Sequence, residues 1–271
     1  MYARISADDG DVVTFEVSLA DHGESMQAAS SMAAVFESVL GRRDLRALVV
    51  HWSPPSVPES FAHAPEIAEL CANLFAKIER AGHPVIGAIG RPVFELDFEL
   101  ALACHVRVAA RSDSELFGFP GLLQGRPLRA GGTQRLPRLI GIIPTLRVFA
   151  GVLKLTTQEA VALGLIAAAV EPESLLAQAN AYARSEIPSS PPWESKGYVI
   201  PDGVGLDSTA LQSAFSMATC AALARADGRR ESAELSALAS VFEGTQAPFA
   251  QGLALERKHA RMLGKSQQSR R

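Results

Sequence analysis

Apolar and polar positions change period repeatedly through the first 120 residues of the chain. VVTFEVS (12–18) has the composition of a strand, and ESMQAASSMAAVFESVL (24–40) places its apolar residues at helical spacing. RALVVHWS (46–53) predicts a buried strand, followed by a proline-broken loop, PPSVPESFAHAP. EIAELCANLFAKIERAG (66–82) sets Ile67, Leu70, Leu74 and Ile78 on one helical face and ends in a glycine, which favours a stop there. HPVIGAIG follows as another short buried strand. This alternation predicts an α/β fold, with right-handed β/α crossovers on a mostly parallel sheet.

From about residue 131 onward helical patterns dominate. IPSSPPWESKGYVIPDGVG (187–205), rich in proline, glycine and serine, reads as an irregular connection. STALQSAFSMATCAALARA, RRESAELSALASVFEG and APFAQGLALERKHARML then predict three closing helices. The expected organisation is an α/β core over 1–190 and a C-terminal helical region over 191–271, with no internal repeat.

Composition narrows the function classes. Of the 271 residues 48% are hydrophobic and 20% charged, enough apolar material for a packed core, and the net charge is too small for disorder. A formal net charge of −3 lacks the basic footprint of phosphate neutralisation, so no nucleic acid is expected as a partner. Three well-separated cysteines, Cys71, Cys104 and Cys220, offer neither a disulfide framework nor a CxxC knuckle, which fits a reducing cytoplasm. The segment MYARISADDGDVV is acidic where a secretory signal would be basic, and no apolar run approaches the roughly 18 residues of a membrane span. A soluble, cytoplasmic protein is expected.

Candidate chemistry centres on GRPVFELDFELALACHV (90–106), which sets Glu95, Asp97 and Glu99 within five positions. Strict alternation of Val93, Glu95, Asp97 and Glu99 with Phe94, Leu96, Phe98 and Leu100 fits a strand with one wet face. It fits equally a turn feeding a helix, in which Glu95 and Glu99 lie one turn apart and Leu96, Leu100 and Ala103 face the core.

HPVIGAIG, ELALACHVRVAA, LFGFP, AGGTQRLPRLIG and EAVALGLIAAAVEP stand in the order and nearly the spacing of the crotonase superfamily, the enoyl-CoA hydratases and isomerases. ELALACHVRVA and the tail APFAQGLALERKHARMLGKSQQS most resemble the hydratase part of multifunctional fatty-acid oxidation proteins. The resemblance implies a crotonase-like ββα spiral core and places Glu99 on a helix. It also implies acyl-CoA thioester chemistry, in which two backbone N–H groups hold the thioester oxygen as an enolate forms and carboxylates move the proton or orient water.

On that likeness, FAHAPEI (61–67) matches the loop of the first oxyanion donor and sets Pro65, which has no N–H, at the donor position. A shifted frame makes Ala64 or Glu66 the donor. The second donor sits in a Gly-Gly-Gly run at a helix N-terminus, here Glu95, Leu96 and Asp97, so the candidate is the Leu96 backbone N–H, with two carboxylates that oppose a developing negative charge. Glu99 matches the first catalytic glutamate, whereas the second falls on Gly121 in FGFPG. Phe119, Gly121, Asp97 and His63 are the pocket candidates, the alternative for His63 being an exposed loop histidine, and Arg126 and Arg129 in GRPLRAGG fall near the expected rim.

AGGTQRLPRLIG reads as a glycine turn, a Thr133 cap and a helix with Leu136, Leu139 and Ile140 inward. Arg135 and Arg138 are expected at the surface, solvated or salt-bridged, with CoA phosphates as the alternative. Arg257, Lys258, Arg261 and Lys265 are expected on a wet helix face, the alternative being a subunit contact near CoA.

The six histidines show no metal-ligand spacing, and no G-x-S-x-G, P-loop or G-x-G-x-x-G occurs, so no metal is expected and no cofactor beyond the CoA carried by the substrate. Two functions stay open: an acyl-CoA enzyme with an altered site built on Glu99, and a crotonase-fold protein with impaired catalysis that binds CoA thioesters or serves in assembly. The resemblance implies a homotrimer or a dimer of trimers; the lack of a long apolar run leaves no membrane partner expected.

Overall fold

A computed structural model describes residues 2–18, 26–54, 64–153, 155–228 and 231–268. In chain order these form β1 (Tyr2–Asp8), β2 (Val12–Ser18), α1 (Met26–Leu40), β3 (Ala47–Trp52), α2 (Pro65–Glu79) and β4 (Val85–Ile89). A two-residue strand β5 (Val93–Phe94) leads into α3 (Glu95–Ala103), followed by β6 (Val106–Ala110) and β7 (Phe117–Gly118). The helices α4 (Pro120–Leu123), α5 (Gly132–Ile140), α6 (Ile142–Phe149) and α7 (Thr157–Ala162) precede β8 (Ala168–Val170) and α8 (Leu175–Arg184). Three longer helices follow: α9 (Thr209–Arg225), α10 (Ala233–Thr245) and α11 (Phe249–Gln268).

These residues group into two compact units, Met1–Phe117 with Leu155–Pro191, and Gly118–Lys154 with Pro192–Arg271. The first is built on a six-stranded sheet in the order β1-β2-β3-β4-β6-β8. Only β1 runs antiparallel to its neighbour; the other pairs are parallel, as the strand–helix alternation predicts. Val12, Val49, Ile86, Ala88 and Val108 cover one face and pack under Leu175 and Ala179 of α8. On the other face Phe15 meets Phe36 of α1 edge-on, with ring centroids 4.9 Å apart. A sheet covered on both faces needs near-continuous apolar strands, which is why β3 and β4 read as apolar runs rather than alternations.

In the second unit α5 packs against α10 and α11, and α6 against α9. Among the described residues no helix is long and apolar enough to cross a membrane.

Candidate active site

The stretch with three carboxylates begins where β4 ends. The Gly90 N–H donates to the Trp52 carbonyl at 2.9 Å, and the Val93 N–H to the Leu116 carbonyl at 2.8 Å, which turns the chain away from the sheet. Phe94 is extended, and Glu95 then takes φ 51°, the left-handed region that glycine occupies without cost. Helix α3 starts on that residue. The helix therefore replaces the strand that period-two alternation suggests. Every residue of α3 is buried, so the alternation does not mark a wet face; its acids lie inside the protein.

Such a φ at a residue with a side chain costs about 1–3 kcal/mol and persists only where the surroundings enforce it. Asp97 supplies part of that enforcement. Its Oδ1 accepts the Trp52 indole N–H at 2.8 Å, and its Oδ2 pairs with the Arg91 guanidinium at 3.1 Å, with both members of the ion pair buried. Arg91 also donates to the Pro92 carbonyl at 2.9 Å and the Val17 carbonyl at 3.4 Å. The far end of α3 is held by a second buried guanidinium: Arg107 of β6 donates to the Ala101 and Cys104 carbonyls and, at 2.6 Å, to Leu165. Burial lowers its pKa to about 10, so it stays a cation at neutral pH, where it complements the negative end of the helix dipole.

The predicted residues Leu96, Asp97 and Glu99 are thus brought together on the first two turns of α3. Leu96 lies in the first turn, where helix geometry offers its N–H no carbonyl one turn back. Glu99 is 2% exposed. Helix α2 packs against α3 and presents Cys71, whose thiol is pushed up to about 12 by burial and further by the negative charges of Glu99 and Asp97. The neighbour of Glu99 is therefore a neutral thiol.

At the start of α2 Pro65 takes the first helical position, which suits a residue without an N–H. Half-buried Ala64 is its N-cap, and the Ala64 carbonyl accepts from Ile67 and Ala68 at 3.0 and 3.2 Å. The first amide that α2 itself offers is therefore Glu66, whose side chain is exposed. His63 lies outside the described residues. Another histidine, His105, has a structural setting: its Nδ1 accepts the Val85 N–H at 3.0 Å and its Nε2 lies 3.3 Å from the Glu79 carbonyl. Both contacts suit a neutral ring, and burial lowers its pKa below 6.5.

Phe119 and Gly121 belong to the second unit. Phe119 is the N-cap of α4 and packs edge-on against Phe149 at 5.7 Å, and Gly121 is buried in the same short turn. Arg126 donates to Gln124, and Arg129 reaches the Ala260 carbonyl of α11 at 3.4 Å.

Helix α5 departs from expectation in two respects. Its N-cap is Gly131, at φ 105°, and not Thr133; the carboxylate of Glu256 in α11 accepts the N–H groups of Gly131 and Thr133 at 2.7 and 2.9 Å and the Thr133 hydroxyl at 2.5 Å. Burial pushes that carboxyl's pKa up, and the donors from Thr133 and Gly131 work against the shift. Arg135 and Arg138 are buried rather than at the surface, because α10 and α11 enclose α5 and every polar side chain on it must find an internal partner. Arg138 donates to the carbonyls of Gln134 at 3.0 Å, Gly244 at 3.0 Å and Ala247 at 3.2 Å; Arg135 donates to the Ala130 carbonyl; both guanidinium groups lie over the Phe249 ring. On α11, Lys258, Arg261 and Lys265 are exposed and Arg257 is half-buried, as a wet face requires.

Trp52, Arg91 and Cys71 were not among the predicted site residues. The available signal was charge: Arg91 is the sole cation between Gly90 and His105, in a stretch with three acids and an apolar background.

The chain matches the enoyl-CoA hydratase/isomerase family model over residues 57–193, half of its length, and belongs to that family. It is 34% identical over 160 residues to the fatty acid oxidation complex subunit alpha of Vibrio vulnificus, a match that covers 55% of this chain and 23% of that protein. The chain thus spans about a quarter of the length of the curated relatives it matches. Its fold resembles the enoyl-CoA hydratase of Mycobacterium avium, with a TM-score of 0.60 and 17% identity over 99% of this chain and 100% of that one. It also resembles DspI of Pseudomonas aeruginosa, with a TM-score of 0.58 and 22% identity over 67% of this chain and 78% of that one. The crotonase-like α/β fold expected from sequence is the fold observed.

Among the described residues no group of three or more His, Cys, Asp or Glu stands where it could hold a metal ion.

Proposed function

We propose that the protein acts on acyl-CoA thioesters by enolate chemistry, with the Leu96 N–H as oxyanion donor and Glu99 as the general acid or base. One observation carries the reading. Glu95 holds a left-handed φ of 51° at a position where the family resemblance implies glycine, which supports a turn that presents the α3 amides. A side chain would not be held there at an energetic cost unless its surroundings demanded that backbone. Glu99, buried one turn further along, is the group available to move a proton. The Glu66 or Ala64 amide at the start of α2 is the second donor in place of Pro65. Asp97, on the same helix as Leu96 and Glu99, contributes to the proposed pocket wall. CoA enters with the substrate and no other cofactor is required. A cytoplasmic homotrimer or dimer of trimers is the proposed assembly.

A second reading, a CoA-thioester binder or assembly partner with impaired catalysis, is favoured by Pro65 at the first position of α2 and by Gly121, which stands where the resemblance implies a second glutamate. The two separate in one assay. Crotonyl-CoA and a 3-enoyl-CoA are supplied while the thioester absorbance band is followed, with acetyl-CoA titrated calorimetrically alongside. Turnover that falls by about 10² to 10⁴ in Glu99→Gln supports the enzyme. Turnover unchanged in that variant removes Glu99 from its role, binding without turnover supports the binder, and no heat at millimolar acetyl-CoA rejects both.

A further inference from the structure

We propose that Asp97, clamped by Trp52 and Arg91, is the positioning residue that sets the Leu96 amide for a thioester oxygen. The proposal rests on the acyl-CoA reading above and deepens it.

The clamp ties the first turn of α3 to three neighbouring strands at their C-terminal ends. Trp52 is the last residue of β3 and donates to Oδ1 of Asp97 at 2.8 Å. Arg91 follows β4 by two residues, pairs with Oδ2 at 3.1 Å, and reaches Val17 near the end of β2 at 3.4 Å. In parallel sheets the crevice beyond the carboxyl ends of the strands is where ligands are held, and this cluster frames that edge. Asp97 is two residues from Glu95 and adjacent to Leu96, so holding its carboxylate at two points fixes the backbone between them. A glycine run adopts the required φ freely; Glu95 does not, and the clamp supplies the constraint instead.

The ion pair also answers an electrostatic difficulty. A lone carboxylate beside the Leu96 amide would oppose an enolate in a low-dielectric setting. With the Arg91 guanidinium in contact, the Asp97–Arg91 pair adds no net charge beside Leu96.

A purely structural ion pair makes a different prediction, because replacing a buried pair by apolar residues of similar volume is often neutral for folding. The test uses the double variant Arg91→Met/Asp97→Leu, which leaves no buried charge unpaired, and the milder Trp52→Phe, which removes one donor. Thermal unfolding reports whether each variant folds. Cinnamoyl-CoA is the probe: its conjugated thioester band moves to the red when the carbonyl is polarised by a well-placed donor. The wild type is expected to bind the probe with a red shift, Trp52→Phe to bind with a smaller shift, and the folded double variant to bind with the shift lost. A folded double variant that polarises the probe as the wild type does, or that no longer binds it, overturns the positioning role, as does a wild type that binds without any shift. If the double variant does not fold, Trp52→Phe decides, an unaltered shift counting against the proposal. Absence of any probe binding by the wild type is a separate outcome, which removes the acyl-CoA reading itself and this proposal with it.

Discussion

Glu256, near the middle of the last helix, accepts the backbone N–H of Thr133 at 2.9 Å and its hydroxyl at 2.5 Å, and so caps a helix 123 residues earlier in the chain. A carboxylate on a helix N-terminus combines charge-assisted hydrogen bonds with a favourable dipole. Glu256→Ala would leave the Gly131 and Thr133 amides buried without an acceptor and is expected to cost about 3 kcal/mol in urea unfolding. Glu256→Gln, which keeps an acceptor oxygen, should lose less than half of that.

The Arg91–Asp97 pair is buried, so its members should not be separable. Arg91→Met alone strands a carboxylate and is expected to destabilise by about 3–5 kcal/mol, while the double variant with Asp97→Leu should recover most of the loss. A double-mutant cycle from denaturant midpoints checks this; a double-variant penalty equal to the sum of the two single-variant penalties would mean the charges do not interact.

At Glu95 the prediction concerns backbone rather than side chain. Comparing Glu95→Gly with Glu95→Ala removes the carboxylate in both and leaves only the φ of 51°. Glycine should be the more stable of the two by about 1 kcal/mol, the reverse of the order expected at an ordinary helix position. Matched urea titrations give the difference directly.

His105 makes the first unit acid-sensitive. Its folded pKa lies below 6.5 because burial disfavours the cation, so below pH 6.5 the unfolded chain binds more protons than the native one. Stability is fully present above that value and is lost as pH falls through the window below it, by at most about 1.4 kcal/mol per pH unit for one group. His51, lowered chiefly by burial, acts in the same direction. The slope of unfolding free energy against pH between 7 and 5 should be shallower in His105→Gln than in the wild type.

Much of the first unit is legible in sequence. β2, β3, β4, α1 and α2 each carry one hydrophobic period over enough residues to be recognised. β1 is not, because it is an edge strand paired on one side only, and exposed residues impose no hydrophobic pattern. The stretch around Glu99 is ambiguous for a different reason. In a helix buried on every side the acids need not share a face, so a period of two can occur by chance and periodicity cannot decide. Family likeness decided it in favour of the helix, and the structure agrees.

The candidate site is legible as to position and not as to pairing. Leu96, Asp97 and Glu99 stand on one helix as expected, but nothing local shows that Asp97 meets an indole 45 residues away. Nor does AGGTQRLPRLIG show that its arginines are buried, since that follows from α10 and α11 closing over α5.

What the amino-acid sequence determined by itself is the succession of strands and helices and the family to which they belong. Periodicity, turn residues and motif order are properties of short segments that survive without knowledge of the rest of the chain. Which charges lie inside, and what neutralises them, was decided only by the tertiary structure. A buried carboxylate such as Asp97 or Glu256 is tolerable only when donors from distant elements reach it, and that meeting exists only once the chain has folded.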